Sequence, residues 1–295
     1  MATPAQWIDG ARPRTLPAAV APVVVGTAAA MAIDSHDLGL ALLALVVSVC
    51  LQIAVNYAND YSDGVRGTDA DRAGPARLVG GGRAKAENVK IVAFGFFGLA
   101  ALAGLTLVAL SGAWILLILG AAAIVAAWRY TGGDNPYGYR GLGEVYVFVF
   151  FGLFATLGTL WTQAGQLTWP GVLGAVGVGA IASAILVANN LRDIPTDTEH
   201  GKRTLAVRLG DGRTRNFYLV LIAVSVVCVV AVAATHPLTL LALLALGLLV
   251  GPVQALRSGA TGRDLIPLLA ATGAYELLYA LLFGAGLVLS DRLLG

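Results

Sequence analysis

Two segments of the sequence carry asparagine and aspartate at the ends of long apolar stretches. The first, NYANDYSDGVRGTDADR, runs from Asn56 to Arg72 and follows the apolar run LALLALVVSVCLQIAV. The second, ANNLRDIPTDTEHGKR, places Asn189, Asp193 and Asp197 at four-residue intervals after another apolar run. Carboxylates at the C-terminal end of a helix face the negative pole of the helix dipole, so they need a compensating positive charge. A bound cation would supply that charge.

Magnesium is the cation that this combination of side chains favours. Carboxylate and amide oxygens are hard ligands, and Mg²⁺ usually completes its shell with substrate phosphates. Solvated loop charges would explain one acidic loop, but here two loops match in spacing and both contain asparagine. Basic side chains that suit the remaining phosphate oxygens are Arg66, Arg72, Lys202 and Arg203. The pattern therefore predicts a metal-bound anion held between two acidic helix ends.

The rest of the chain is strongly apolar. Of its 295 residues, 58% are hydrophobic and 12% are charged, and the mean hydropathy is +0.79. This composition predicts an all-α polytopic membrane protein, taken as one domain over residues 1–295. Nine apolar runs of membrane-spanning length lie at about 16–33, 38–58, 89–110, 113–129, 143–161, 171–191, 217–234, 238–256 and 265–289.

The distribution of basic residues predicts the orientation of these nine helices. Between alternate apolar runs, and before the first, lie 18 of the 19 Lys and Arg residues, and only Arg292 lies on the other side. By the positive-inside rule the N-terminus is cytoplasmic and the C-terminus is outside. The acidic ends follow the second and sixth runs, which predicts two four-helix halves, runs 1–4 and 5–8, with the ninth run added. Both acidic ends then meet at the cytoplasmic face.

One class of substrate suits acidic residues at the base of an apolar cavity. An amphiphile with a diphosphate head and a polyprenyl tail would place its head at the metals and its tail among the helices or in lipid. Bound magnesium makes diphosphate a leaving group by neutralising its charge. Membrane lipid and a polyprenyl diphosphate are the expected partners, and no nucleic acid is expected.

These segments resemble the UbiA superfamily of intramembrane prenyltransferases. Its first motif usually reads Asn-Asp-x-x-Asp-x-x-x-Asp, matched here by Asn59, Asp60 and Asp63, and its second reads Asp-x-x-x-Asp, matched by Asp193 and Asp197. The last aspartate of the first motif would fall at Gly67, and Asp69 comes two residues later. That longer form, NDYSDGVRGTD, is similar to the 1,4-dihydroxy-2-naphthoate polyprenyltransferase branch, as are ARPRTLPAAVAPVVVG, YTGGDNPYGYRGLGE and NNLRDIPTDTEHGKRTLAVRLG.

The resemblance implies a nine-helix fold in the cell membrane and an electrophilic aromatic substitution. Loss of diphosphate gives an allylic cation, 1,4-dihydroxy-2-naphthoate attacks it and loses its carboxylate, and the product is demethylmenaquinol. Mg²⁺ is the implied cofactor, with Mn²⁺ able to substitute. The implied metal ligands are Asp60, Asp63, Asp69, Asp193 and Asp197, and all but Asp60 are also assigned as catalytic.

Other residues are expected to bind the substrates. Arg140, with Tyr137 and Tyr139 in a glycine-rich loop, would bind the carboxylate of the aromatic acid, because arginine pairs with carboxylates in a planar fork; a juxtamembrane arginine obeying the inside rule is the alternative. Tyr130 and Tyr146 are candidates to shield an allylic cation. The remaining candidates are Asn59, Asp60, Arg66, Asn189, Asn190 and Lys202. Glu144 and Glu276 have no assigned role.

Three other readings of the sequence stay open. A cation transporter would also use acidic residues within spans, but it would need them near the bilayer midplane rather than at helix ends. A phosphatidyl-alcohol transferase shares the start of DYSDGVR but requires a downstream continuation that is absent here. A prenyltransferase of the same superfamily with a different acceptor would share every motif named above.

Overall fold

The computed structural model describes residues 2–67 and 77–294, and the regular elements in these ranges are all helical. Helices suit an apolar chain because they bond every interior backbone group within one segment. In chain order the helices are α1 (Pro4–Ala11), α2 (Pro17–Met31), α3 (Leu38–Arg66), α4 (Ala86–Ser111), α5 (Leu116–Arg129), α6 (Gly143–Ala164), α7 (Trp169–Arg192), α8 (Ile194–Glu199), α9 (Leu205–Leu209), α10 (Asp211–Ala233), α11 (Pro237–Arg257) and α12 (Gly262–Leu294).

Seven of these helices are long and apolar enough to cross a membrane. They are α3, α4, α6, α7, α10, α11 and α12, counted over the described ranges. The segment Pro4–Thr15 and helix α2 form an eighth candidate if they count as one span, since they are bent by 48° at their junction. Helix α5 has 14 residues, fewer than the roughly 20 that a bilayer requires. By length the structure supports seven or eight spans, where the sequence predicted nine.

Helix α7 lies at the centre of the bundle. Of its apolar window 72% is buried, against 22 to 39% for the other six candidate spans. Small residues make this possible: a Cβ atom at Gly152 of α6 would lie 2.4 Å from the Cα atom of Gly179 in α7, so these two backbones approach to a distance that glycine alone permits. The main hydrophobic core joins α7 to α2, α10, α11 and α12.

A second, smaller core stabilises the first acidic helix end. It joins Ala54, Tyr57 and Ala58 of α3 to α4 and to Leu78. Leu51, Ile124 and Ala127, which pack against this core, also line the cavity described below. Helix α3 is capped by Gly67, which follows its last residue and has a φ of +73°, the left-handed conformation of a helix C-cap. The described chain resumes at residue 77.

Candidate active site

The two acidic helix ends meet at one cavity of about 580 Å³. Asn59 and Asp63 at the end of α3 line it, as do Asn189, Asn190 and Asp193 at the end of α7 and Asp197 in α8. Most of the remaining wall is apolar and comes from α2, α3, α4, α5, α6 and α7. The predicted meeting of the two motifs is therefore present in the structure, and it opens onto an apolar chamber.

Asp63 of the first motif is buried and contacts side chains from several segments. It is 3% exposed and accepts a 2.7 Å hydrogen bond from the hydroxyl of Tyr139. Lys202 Nζ lies 3.4 Å and Arg77 Nη2 lies 3.7 Å from its carboxylate oxygens. Tyr139, Lys202 and Arg77 come from three segments outside α3, so this carboxylate joins four segments of the chain.

Tyr139 organises the charges around Asp63. The Lys202 ammonium lies 4.5 Å and the Arg66 guanidinium 5.3 Å from the centre of its ring, both within cation–π range. Arg66 also donates to the backbone carbonyls of Thr131 and Gly133. Thr131 in turn donates from its hydroxyl to Asn59 at 2.7 Å. The predicted binding residues Asn59, Arg66, Tyr139 and Lys202 thus form one connected group.

Asp60 is bonded to the backbone where the chain returns after α3. Its two carboxylate oxygens accept hydrogen bonds from the backbone N–H groups of Leu78 and Val79, each at 2.9 Å. The side chain is 1% exposed and is not among those that line the cavity. Asn56, Asn59 and Asp63 follow the three- and four-residue spacing of one helix face, and Asp60 lies beside that face. Asp60 therefore anchors the chain where it returns at residues 78–79, and its role as a metal ligand stays a prediction.

The second acidic end is held by its own helix. Arg192 donates from Nε and Nη2 to the two carboxylate oxygens of Asp193, at 2.6 and 2.8 Å, and from Nη2 to the side-chain oxygen of Asn189 at 2.8 Å. Arg192 is 6% exposed. Sequence reasoning counted Arg192 only as an inside charge. Its position in the sequence, three residues after Asn189 and next to Asp193, was the signal that could have identified this contact.

A short turn brings Lys202 back towards the first motif. The backbone N–H of Lys202 donates to the carbonyl of Asp197 at 2.8 Å, after a chain reversal at Gly201, where φ is +71°. This bond places Lys202 at the cavity wall beside Asp197. The same lysine contacts Asp63, so it links the two acidic ends.

Of the residues predicted in the glycine-rich loop, the two tyrosines line the cavity and the arginine does not. Tyr137 and Tyr139 line the cavity, whereas Arg140 is exposed and is not part of the lining. Burial, and secondarily the neighbouring Tyr146, raise the pKa of Tyr137, so its hydroxyl stays protonated over the physiological range. Among the residues that the structure describes, the arginines on the cavity wall are instead Arg12, Arg14 and Arg77.

A column of aromatic rings runs from the acidic end into the apolar chamber. Consecutive ring centres are 5.5 Å apart for Tyr130 and Tyr137, 3.8 Å for Tyr137 and Tyr146, 6.0 Å for Tyr146 and Phe150, and 5.2 Å for Phe150 and Phe154. All five line the cavity. Positions four apart drift by about 40° per step on a regular α-helix, and the π-helical segment Phe148–Phe154 winds more loosely. Tyr146, Phe150 and Phe154 stay in contact with one another along this segment.

The donor set fits Mg²⁺ that shares its shell with phosphate. In the described part of the chain, no three acidic, histidine or cysteine side chains form a metal cage by themselves. Mg²⁺ does not require one, since it commonly takes one or two carboxylates together with phosphate oxygens and water. Asp63, Asp193 and Asp197 provide carboxylates to one cavity, with amide oxygens beside them. Asp69 and Arg72 lie outside the described residues.

Comparison with known proteins gives a consistent family. The sequence model of the UbiA prenyltransferase family matches residues 19–265. The chain is 53% identical to a 1,4-dihydroxy-2-naphthoate octaprenyltransferase of Mycobacterium tuberculosis, covering 95% of this chain and 96% of that protein. It is 40% identical to the Escherichia coli protein of the same name, covering 97% and 96%.

The fold matches solved structures that are distant in sequence. A UbiA homolog from Archaeoglobus fulgidus, bound to GPP and Mg²⁺, has a TM-score of 0.71 at 14% identity, covering 96% of this chain and 99% of that one. The apo structure of a UbiA homolog from Aeropyrum pernix has a TM-score of 0.69 at 16% identity, covering 92% and 97%.

Proposed function

Because this chain belongs to the UbiA prenyltransferase family, we propose that it transfers a polyprenyl group from a polyprenyl diphosphate to 1,4-dihydroxy-2-naphthoate, with loss of the acceptor's carboxylate. The observation that carries the proposal is the single cavity that joins both acidic helix ends to an apolar chamber. Relatives named for this reaction match nearly the whole chain and support the choice of acceptor. The product is demethylmenaquinol, an intermediate of menaquinone biosynthesis.

The diphosphate binds between the two helix ends. Asp63, Asp193 and Asp197 would hold the magnesium, with Asn59, Asn189 and Asn190 beside them and Asp69 as a further ligand. When bound, the metal neutralises the diphosphate and makes it a better leaving group. Lys202 and Arg77, which lie against Asp63, are placed to contact phosphate oxygens. Mn²⁺ is expected to substitute for Mg²⁺.

The aromatic column serves the prenyl group. When the allylic C–O bond breaks, its electron pair leaves with the diphosphate and positive charge remains on carbon. The ring faces of Tyr137, Tyr146 and Phe150 stabilise a cation of this kind. The electron-rich naphthoate then forms the new C–C bond, and the electrons of its carboxylate bond return to the ring as carbon dioxide leaves. The apolar wall excludes the water that would otherwise capture the cation.

Two arginines are candidates to bind the acceptor carboxylate. Arg140 stays a prediction, and its exposure outside the cavity counts against it. Arg12 is half-buried and lines the cavity, next to a polar group in which Gln52 and Asn56 each donate to the hydroxyl of Thr15 at 2.9 Å. Its φ of +53° is the left-handed conformation of the cap that ends α1, with the Arg12 backbone N–H bonded to the carbonyl of Asp9. We favour Arg12.

The membrane arrangement completes the proposal. Nine spans result if α2, with the segment before it, and the short α5 both cross the bilayer together with the seven long helices. The concentration of basic residues supports an orientation with the N-terminus and the cavity's acidic end on the cytoplasmic side of the cell membrane, and the C-terminus outside. The matching positions of the two motifs support a single domain built of two four-helix halves and a ninth helix. The prenyl tail then lies among the helices or in lipid.

One assay tests the reaction and the acceptor together. Membranes that contain the protein are supplied with a labelled polyprenyl diphosphate, Mg²⁺ and a panel of aromatic acids. We expect prenylation of 1,4-dihydroxy-2-naphthoate, abolished by EDTA and restored by Mg²⁺ or Mn²⁺. Arg12→Ala should raise the KM for the naphthoate roughly tenfold or more, the value of a charge-assisted hydrogen bond, and Arg140→Ala should leave it near wild type. Turnover in chelator, or preference for another acid, would contradict the proposal.

A further inference from the structure

A buried carboxylate, that of Glu144, lies directly behind the second acidic helix end. Glu144 is the second residue of α6 and is 4% exposed. Its Oε1 accepts a 2.9 Å hydrogen bond from Nδ2 of Asn190, and its backbone carbonyl accepts one of 3.1 Å from the hydroxyl of Ser183. Ser183 and Asn190 are seven residues apart and share a face of α7. Two contacts therefore fix the start of α6 against the helix that carries the second motif.

The packing around this contact leaves little freedom. A Cβ atom at Gly143 would lie 3.1 Å from the side chain of Leu186 and 3.3 Å from that of Tyr130, both of which line the cavity. Glycine at position 143 thus allows α6 to lie close against α7. The Glu144 carboxylate is consequently held in one place relative to Asn190.

The chemistry of the two side chains decides which atom of Asn190 faces away from Glu144. An asparagine amide has one NH₂ donor group and one carbonyl acceptor, whereas a carboxylate only accepts. The NH₂ group of Asn190 donates to Glu144, so its carbonyl oxygen is the atom left for the cavity that Asn190 lines. A neutral amide partner at position 144 would allow either orientation.

We infer that Glu144 is a positioning residue, which holds the Asn190 amide so that its oxygen serves as a neutral ligand beside Asp193. This inference rests on the proposed function, because it assigns a role at the same metal–diphosphate site. Asn190 precedes Asp193 by three residues, about one turn, and both line the cavity. Partners that orient metal ligands from behind are commonly required for full metal affinity.

The burial of Glu144 argues against a role in packing alone. Its Oε2 atom is buried and has no hydrogen-bond partner among the described residues. A buried polar atom of this kind costs free energy, and glutamine or leucine would fill the space without a carboxylate. The feature that a carboxylate adds is the restriction to accepting hydrogen bonds, which fixes the asparagine orientation.

The test compares an isosteric substitution in two backgrounds. Glu144→Gln keeps the shape of the side chain but can donate as well as accept, so Asn190 is no longer held in one orientation. Binding of Mg²⁺ and the unreactive thiolodiphosphate analogue of geranyl diphosphate is measured by calorimetry on the purified full chain. We expect Glu144→Gln to weaken Mg²⁺ binding roughly tenfold or more, with the melting temperature without metal unchanged. In an Asn190→Ala background, Glu144→Gln should add nothing.

A matched control removes another buried carboxylate. Glu276 in α12 is fully buried, and its two carboxylate oxygens have no hydrogen-bond partner among the described residues. Glu276→Gln should leave Mg²⁺ binding unchanged. Equal weakening in both glutamine variants, wild-type affinity in Glu144→Gln, or the same loss with and without Asn190 would each overturn the inference. Wild-type protein that fails to bind the analogue would instead contradict the proposed function on which the inference rests.

Discussion

The two acidic helix ends reach the same cavity but are held there in different ways. At the end of α3, Asp63 contacts Tyr139, Lys202 and Arg77, which come from three other segments. At the end of α7, Asp193 is held by Arg192, its immediate neighbour in the chain. The first carboxylate is in place only when the surrounding loops are assembled, whereas the second is oriented by its own helix.

The two helix ends also differ in the contacts of the residue three positions before each aspartate. Asp60 precedes Asp63 and accepts two backbone hydrogen bonds from the chain at residues 78 and 79. Asn190 precedes Asp193 and donates to Glu144. Only Asn190 lines the cavity. The two motifs therefore differ at this position: Asp60 bonds the backbone of the fold, whereas Asn190 lines the cavity.

The largest expected effect comes from removing either carboxylate that faces the ligand. Asp63→Ala and Asp193→Ala should each lower kcat about 10²- to 10³-fold, the range for loss of one group that stabilises developing charge. The protein should stay folded and inserted, because each side chain lies at a helix end. Prenyl transfer to 1,4-dihydroxy-2-naphthoate is the measurement. Near-normal turnover in either variant would remove that helix end from the active site.

Substitution of the basic residues Lys202 and Arg192 should have different effects at the two helix ends. Lys202→Met should raise the KM for polyprenyl diphosphate about tenfold to a hundredfold, since one charge-assisted contact to the ligand is lost. Arg192→Met should mainly lower the melting temperature, because breaking a buried ion pair leaves its partner less well compensated. Steady-state kinetics and thermal melts of both variants provide the comparison. An unchanged KM in Lys202→Met would contradict this expectation. So would a melting temperature that Arg192→Met lowers no more than Lys202→Met does.

The smallest effect on catalysis is expected at Asp60. Asp60→Asn retains one acceptor for the chain at residues 78–79 and should lower the melting temperature, with kcat and KM changed by less than about threefold. A hydrogen bond from a backbone N–H to a charged group contributes roughly 1.5 to 3 kcal/mol to stability. Asp63→Asn is the matched control and should be nearly inactive. Equal inactivation of both variants would instead support the predicted role of Asp60 as a metal ligand.

The sequence was sufficient for features that depend on regular geometry. The apolar runs predicted the helices, and the Asn-x-x-x-Asp spacing predicted that Asn59 and Asp63, like Asn189 and Asp193, share a helix face. Their meeting followed from two helix ends on one side of the membrane. The family resemblance added the reaction and the acceptor, which residue spacing alone does not specify.

The features that were missed depend on contacts between distant segments. Asp60 has the same side chain as Asp63, and its role follows from where residues 78 and 79 return, which spacing does not show. Arg192 satisfies the positive-inside rule equally well whether or not it binds Asp193. Arg140 and Tyr139 are adjacent, but the 3₁₀ turn Tyr137–Arg140 directs them to different environments. The number of spans stayed undecided because the apolar run of α5 is longer than the 14-residue helix it forms.

The central claim is that the two helix ends hold one diphosphate jointly, and a double-mutant cycle on Asp63 and Asp193 tests it most directly. Prenyl transfer is measured for wild type, Asp63→Ala, Asp193→Ala and the double variant at saturating Mg²⁺. Residues that act as a unit give strongly non-additive losses, so the double variant should be little worse than either single variant. Losses that multiply in the double variant would show two independent sites and contradict the account.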